Sequence, residues 1–542
     1  MKFAFLETKP LAHMSKKISL IFVLILIASC GSIKKHNASL GAKFSTEALH
    51  EDIDFTYKKL QRVHPRLYQY IAKEDLDRKF DSLKKSIDTP LDAKQFYAAL
   101  TPVVSEVRQG HITSNFPKRR FTKKERKALN KTELDFFELE TKYIEDRLWI
   151  TRTGPKDSLL IGSQVVAVGT ETIANLFSKY RKTFSPDGYN TTFQNTFIAN
   201  NFTAAYNKDK GHRDSIALLL MQNDSVFAKQ FKRHLKDSSA LKPKIVDTMK
   251  VVEKKRLSKT EKKAEKAKRK KRRKRNKKYG FIASRDQFTR NFKFIDSASR
   301  IGFIKIRSWG NGSHKEFFEE SFTKLDSAKA QHLIIDLRDN PGGQLDQIHN
   351  FYSYLTDTEH QFINPAGINT RLPNIKNFYG RNSNVLSVAV QTLVLPYLVV
   401  DNLYRIRKTA GKLQYHFKES KTSKPNPLNF KGKIYVLING GSFSASATLA
   451  SKLHGTKRAV FIGEETGGAY NGTVAGFYKY ITLPNTKITL RIGLLQIETP
   501  HLQEPDGYGV KPDFIISPTV ADFLANRDTE LEYTLDMIKK EM

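Results

Sequence analysis

The chain has 542 residues, room for roughly two to four domains, and its 39% apolar and 11% aromatic content excludes a wholly disordered or collagen-like polymer. Its 92 Lys and Arg against 55 Asp and Glu leave +37, a balance that directs attention to anionic partners; residues 253–278 alone hold 17 Lys/Arg against 3 Glu. One cysteine excludes a disulfide framework, a CxxC redox pair and cysteine-ligated zinc.

Lys16 and Lys17 precede an apolar run, Ile18 to Ala28, too short to span a bilayer as a mature helix and of the length of a secretory h-region. It closes in Ile27-Ala28-Ser29-Cys30, which resembles the lipobox of bacterial lipoproteins. The resemblance implies removal of residues 1–29, with Met14 an alternative start, lipidation of Cys30 and a membrane tether over residues 30–43. The expected location is the bacterial cell envelope, facing the periplasm because no acidic cluster follows Cys30. An ordinary buried helix is the competing reading.

Leu49, Ile53, Tyr57, Leu60 and Val63 recur at helical spacing, as do Leu76, Phe80, Leu83 and Ile87. Phe96, Leu100, Val103 and Val107 predict a third helix, so residues 44–120 read as a small helical domain that delivers the chain to His111. Residues 136–185 turn strand-like, and Ile161 to Val168 resembles part of a degenerate PDZ module. Residues 186–250 are taken as the start of a larger core. The basic stretch 251–280 has almost no apolar residues to offset ordering entropy and reads as a disordered insertion or fraying helix. In an exported chain its charge suits an anionic envelope polymer better than nucleic acid.

Beyond it, residues 292–295 and 301–306 predict paired strands, 314–328 a helix, and 333–337 a strand buried on both faces. The strand-helix-strand rhythm repeats at 434–438, 446–453 and 459–462, two strands flank Pro484-Asn485-Thr486, and a helix closes the chain. Residues 281–542 therefore form an α/β core.

Glycine-rich strand ends are where α/β sheets place their sites. The first is Asp336-Leu337-Arg338-Asp339-Asn340-Pro341-Gly342-Gly343, whose paired glycines allow close backbone approach to a ligand. The second is Asn439-Gly440-Gly441-Ser442-Phe443-Ser444-Ala445-Ser446, a strand turning into a helix; its serines either expose a nucleophile or merely cap the helix. The third is Glu464-Glu465-Thr466-Gly467-Gly468, followed by Asp506-Gly507-Tyr508-Gly509-Val510-Lys511-Pro512-Asp513.

In that order over residues 285–520, these motifs resemble the tail-specific, or C-terminal-processing, serine protease family. The resemblance implies a crotonase-like ββα core beside the helical domain and PDZ-like module, Ser444 as nucleophile, and Gly342, Gly343 and Ala445 as oxyanion-hole donors. The best-known branch places a lysine base in a turn that here reads Thr466-Gly467-Gly468-Ala469, with no base. A second branch, like the tricorn core protease, uses a histidine ahead of the PDZ-like module and a late acidic residue. By that resemblance His111 is the base and Asp506 its orienting acid, with Glu504 or Glu465 as substitutes; Gly110 stands where that branch has a serine.

No HExxH motif occurs and the histidines lack ligand spacing, so neither metal nor cofactor is expected. The expectation is an exported, lipid-anchored serine endopeptidase acting on peptides or proteins. The alternative is a catalytically inactive peptide-binding lipoprotein with the same fold.

Overall fold

Three amphipathic helices lead the computed structural model, which describes residues 33–236, 258–310, 312–375 and 385–542. The apolar run and Cys30 lie outside those residues. The end of the expected tether is docked: Ile33–Ala38 is helical, and the Asn37 amide exchanges two 2.8 Å hydrogen bonds with the Arg120 backbone. Helix α1 (Thr46–Val63) is capped by the Ser45 side chain and buries Leu49, Ile53, Leu60 and Val63. Helix α2 (Lys73–Ser86) buries Leu76, Phe80 and Leu83, and α3 (Ala93–Ser105) starts from an Asp92/Gln95 capping box.

These helices are not a separate domain. Their apolar stripes share one core with strands of the later chain and with Val510 beyond them. Asp52, fully buried on α1, accepts hydrogen bonds from Asn485 N and Thr486 N at 2.9 Å and from the Thr486 hydroxyl at 2.6 Å. That clamp ties the first helix to a turn more than four hundred residues later. Strand β1 (Thr113–Asn115) follows the helices directly.

The second module runs further than the sequence suggests. Strands β2 (Glu140–Ile144), β3 (Arg147–Arg152) and β4 (Gln164–Val168) are joined by β5 (Ser215–Gln222) and β6 (Ser225–Lys232), in the order β6-β5-β4-β3-β2. Helix α4 (Ile173–Arg181) and two helices at Thr192–Asn200 and Phe202–Lys210 cover the sheet, whose core includes Phe136, Ile150, Phe177, Phe202 and Leu220. Residues 186–232 thus complete this module rather than begin the next. β5 carries the alternating burial of a one-sided antiparallel strand and pairs directly with β4.

Of the disordered insertion or fraying helix expected over residues 251–280, the described part is helical. Lys259–Tyr279 is helix α5, with a Ser258/Glu261 capping box at one end and left-handed Gly280 at the other. Lys, Arg, Ala and Glu are all strong helix formers, and a helix needs no buried face if its ends are held. The buried Arg290 guanidinium holds the C-terminal end, donating to Lys278 O at 2.9 Å and Lys277 O at 3.0 Å. No residue of α5 is buried; Lys278 pairs with Glu320, and the other 13 Lys/Arg of the helix face solvent.

The remaining chain is α/β. Strands β7 (Arg290–Phe294), β8 (Ile301–Ile306) and β9 (His332–Asp336) belong to one six-stranded sheet. A second sheet begins with β10 (Ala366–Ile368); after helix α6 (Val385–Arg405) it gains β11 (Ile406–Thr409) and β12 (Lys412–Tyr415). The first sheet resumes with β13 (Lys433–Ile438), helix α7 (Ala445–Gly455) and β14 (Val460–Gly463). Strands β15 (Thr473–Thr482) and β16 (Thr489–Ile497) complete the second, and β17 (Phe514–Ile515) the first. The first sheet runs β7-β8-β9-β13-β14-β17 and is parallel from β8 onward; the second runs β11-β12-β10-β16-β15, with β1 added to β16. β9 is buried along its whole length, as its continuous apolar run requires.

Candidate active site

Strand β13 ends at Ile438, and the side-chain oxygen of the next residue, Asn439, accepts from Asp339 N and Gly441 N, both at 2.9 Å. The turn delivers Ser444 at φ 53°, ψ −120°, a conformation that costs a non-glycine residue about 1–3 kcal/mol and is held only by its surroundings. Its neighbours are structural. The Ser442 hydroxyl donates to Leu337 O at 2.9 Å, and Ser446 Oγ accepts from the Trp309 indole at 2.9 Å. Ser444 occupies the cap position of α7 yet makes no capping bond, so the capping reading does not account for its hydroxyl.

That hydroxyl instead lies 3.0 Å from His111 Nε2. Two constraints bring the imidazole there. Gly110 N donates to Asp187 Oδ1 at 2.8 Å, and two residues beyond the histidine β1 begins its pairing with β16, Thr113 opposite Arg491. A Cβ on Gly110 would stand 2.7 Å from the Phe443 ring, so a serine at that position would require this phenylalanine to move. The His111 ring, 5.1 Å from Phe443 and 5.9 Å from Tyr478, has its pKa pushed down to about 3, by burial first and the Arg491 guanidinium second. It is therefore neutral over the ordinary pH range, as a proton acceptor must be.

The partner of Nδ1 is Tyr478 Oη, at 3.3 Å. With Ser444 donating to Nε2, the network assigns the Nδ1 proton toward the phenol. Arg491 sits 4.7 Å over the Tyr478 ring and donates to His111 O at 3.4 Å. Asp506, expected beside His111, is engaged elsewhere. Its Oδ2 accepts from Gln69 at 3.0 Å, Gln69 in turn accepts from Gln109 at 3.2 Å, and its Oδ1 takes Gly507 N at 2.6 Å. Nor do the substitutes reach the imidazole: Glu465 accepts from Gly509 N at 2.6 Å and Glu504 from Asp506 N at 3.2 Å. The reason is the turn itself, whose backbone donors and the Gln69–Gln109 chain take up the carboxylate.

A buried carboxylate that the sequence did not single out does border the site. Asp187 has no exposed surface, and burial pushes its pKa up to about 7 against the opposing Gly110 hydrogen bond. Thr473 tempers the shift from outside hydrogen-bond geometry, leaving Asp187 Oδ2 without a partner. Its loop carries a signal that could have been read: Pro186-Asp187-Gly188-Tyr189 is repeated as Pro505-Asp506-Gly507-Tyr508. The two copies meet. Tyr189 N donates to Gly507 O at 2.6 Å, and a Cβ on Gly188 would fall 2.1 Å from that carbonyl oxygen.

The oxyanion-hole expectation is corrected at one residue. Gly342 N donates to Asn340 Oδ1 at 3.0 Å and is not free for a ligand. Gly343 N and Ala445 N have no acceptor among the described hydrogen bonds. Gly342 is needed for a different reason: at φ 96° it passes so close that a Cβ would lie 2.8 Å from both Ala445 N and Ser444 Cβ. Behind this turn, Lys305 and Arg338 hold the Asp336 carboxyl well below the usual carboxylate range despite its burial, fixing the end of β9.

Glu133, Asp135 and His234 bring ligand atoms within 4.8 Å of one another in the second module. Both His234 nitrogens are already committed, Nε2 to Asp135 at 2.8 Å and Nδ1 to Leu235 O at 3.0 Å, an arrangement that raises the His234 pKa as an ion pair does.

Residues 300–516 match the model of peptidase family S41. A carboxyl-terminal-processing protease from Synechocystis sp. is 22% identical over 242 residues, which is 44% of either chain. The chain thus spans less than half the length of that curated relative. Among solved structures, mature CPAF in complex with lactacystin superposes with a TM-score of 0.59 at 15% identity, covering 91% of this chain and 98% of that one. A second structure of mature CPAF gives 0.58 at 16% identity, with 91% and 97% covered. At these identities the likeness establishes a shared α/β fold.

Proposed function

We propose that the chain, whose residues 300–516 match the model of peptidase family S41, is a serine peptidase that cleaves peptides or unfolded segments of proteins through an acyl-enzyme on Ser444. The observation that carries the reading is the 3.0 Å approach of His111 Nε2 to a serine hydroxyl held at φ 53°.

Ser444 Oγ attacks the substrate carbonyl carbon while its proton passes to His111 Nε2. The carbonyl π electrons move to oxygen, and the oxyanion faces the N–H groups of Gly343 and Ala445. Collapse of the tetrahedral adduct breaks the C–N bond, and the imidazolium returns its proton to the leaving amine. Water then enters, gives a proton to His111 and its oxygen to the acyl carbon, and the ester C–O bond breaks as the imidazolium passes that proton to Ser444 Oγ, restoring both groups. Throughout, Tyr478 holds Nδ1–H, the task usually given to a carboxylate. A phenol orients the ring but stabilises the transient imidazolium less than a full negative charge does.

In this reading Cys30 carries the lipid, the catalytic body faces the periplasm, and cleavage is internal to the substrate. Strand β6, at the open edge of the second module, can seat an extended peptide by strand addition. Helix α5 supplies a polycationic arm for an anionic envelope polymer.

The test is labelling with an alkyl fluorophosphonate followed by identification of the modified peptide. Labelling confined to Ser444 and lost in Ser444→Ala supports the assignment; peptide turnover equal in both chains would turn the reading to an inert binding protein.

A further inference from the structure

Helix α6 (Val385–Arg405) is held to the body, among its described side chains, through Asp401 and Asn402. Asp401 accepts from Arg405 at 2.6 Å and from the Tyr415 hydroxyl of β12 at 3.3 Å. Asn402, 1% exposed, donates to Leu398 O at 2.8 Å and to Asn374. The other face is a row of apolar side chains in water: Val390 at 53% exposure, Leu393 at 82%, Tyr397 at 68%, Val400 at 64% and Tyr404 at 67%, with Leu403 beside them at 75%. Single exposed apolar residues are ordinary; a contiguous stripe marks an interaction surface.

We propose that this face pairs with the same face of a second copy of the chain, making the protein a homodimer. Three observations select that occupant. The stripe advances by 3, 4, 3 and 4 residues, the seam of a helix meeting another helix. The exposed side chains together amount to an area on the order of 800 Å², the contribution of each partner to a standard stable interface. The face is also free of charge. Asp401, the only charged residue of the helix before Arg405, is paired with that arginine, and the helix lacks the Lys/Arg-rich polar face of helices that lie in a membrane interface.

No helix among the described residues is long and apolar enough to cross a membrane. A helix paired with itself is a two-fold, self-complementary contact that closes at two copies. Pro396 removes one backbone hydrogen bond near the middle of the seam, which suits a short pair better than an extended supercoil.

The test is sedimentation equilibrium of the full chain carrying Cys30→Ser, so that neither lipid nor thiol contributes. The expected mass is twice 62.0 kDa. Leu393→Glu with Val400→Glu should weaken the dimer at least about 100-fold, with an unchanged circular dichroism spectrum and unchanged peptide turnover. Tyr397→Cys in the same background should be joined to itself by a short bismaleimide, whereas Val226→Cys, exposed on β6, should not. A monomeric mass at every concentration overturns the proposal. So does a double variant that remains dimeric, or a monomer whose α6 face binds neutral phosphatidylcholine vesicles.

Discussion

Tyr478 Oη stands 3.3 Å from His111 Nδ1, where a Ser-His catalyst normally keeps a carboxylate. If the phenol fixes the tautomer, Tyr478→Phe should lower kcat by roughly 10- to 100-fold with little change in KM. Ser444→Ala should lower it by at least about 10³-fold. Steady-state assays on an unstructured peptide separate the two, and a phenylalanine variant with full kcat would leave the imidazole oriented by its ring contacts alone.

The acid limb of activity follows from the imidazole. A protonated His111 cannot accept the serine proton, so kcat/KM should fall as pH drops through about 3, far below the 6.5 of an unperturbed histidine. Arg491→Gln removes the second cause of the shift and should move the limb upward. A pH profile that breaks near 6.5 in the parent chain would contradict this.

Asp187 makes a prediction of opposite sign, and about stability. Its folded pKa of about 7 exceeds the 3.8 of the free side chain, so between those values the folded state keeps a proton that the unfolded state has released. Its contribution to stability is therefore present in full below about pH 4 and is lost as pH rises through about 7. Asp187→Asn keeps an acceptor for Gly110 N and should flatten that part of the Tm-against-pH curve.

Gly110 and Phe443 should be coupled. Gly110→Ala drives a methyl group to 2.7 Å from the Phe443 ring and should cost about 1–3 kcal/mol along with most activity. Phe443→Leu in the same chain should recover part of both, and a double-mutant cycle by urea denaturation measures the interaction.

The basic helix is testable apart from catalysis. Lys270→Glu, Lys271→Glu, Arg272→Glu and Arg273→Glu should abolish salt-sensitive binding to polyphosphate and leave peptide turnover unchanged, since no residue of α5 is buried. Binding that persists, or that ignores salt, would place the anion site elsewhere.

Much of this was readable from periodicity. The paired strands at 290–294 and 301–306, the buried strand at 332–336 and the helix at 445–455 lie within a residue or two of expectation, because each carries a repeating pattern or a glycine-rich end. The limits lay in long-range pairing. The strand at 215–222 alternates clearly, but nothing local says that it pairs with 164–168. Residue type and motif position made Asp506 the natural acid; what decided against it was competition from Gln69 and the backbone of its own turn. Tyr478 and Asp187 were passed over because a lone tyrosine in a strand and an aspartate in a turn are both commonplace. The duplicated Pro-Asp-Gly-Tyr was the one written hint that two distant turns belong together.

The back-to-back meeting of Gly188 and Gly507 also shows how the site could be disarmed from a distance. The hydroxyl at 444, the ring at 111 and the phenol at 478 sit on separate stretches, and the loop at 187 that accepts from Gly110 N is itself clasped by the turn at 507. A side chain at either glycine would spread the two loops and unseat the residue before the imidazole while leaving serine, ring and phenol chemically intact.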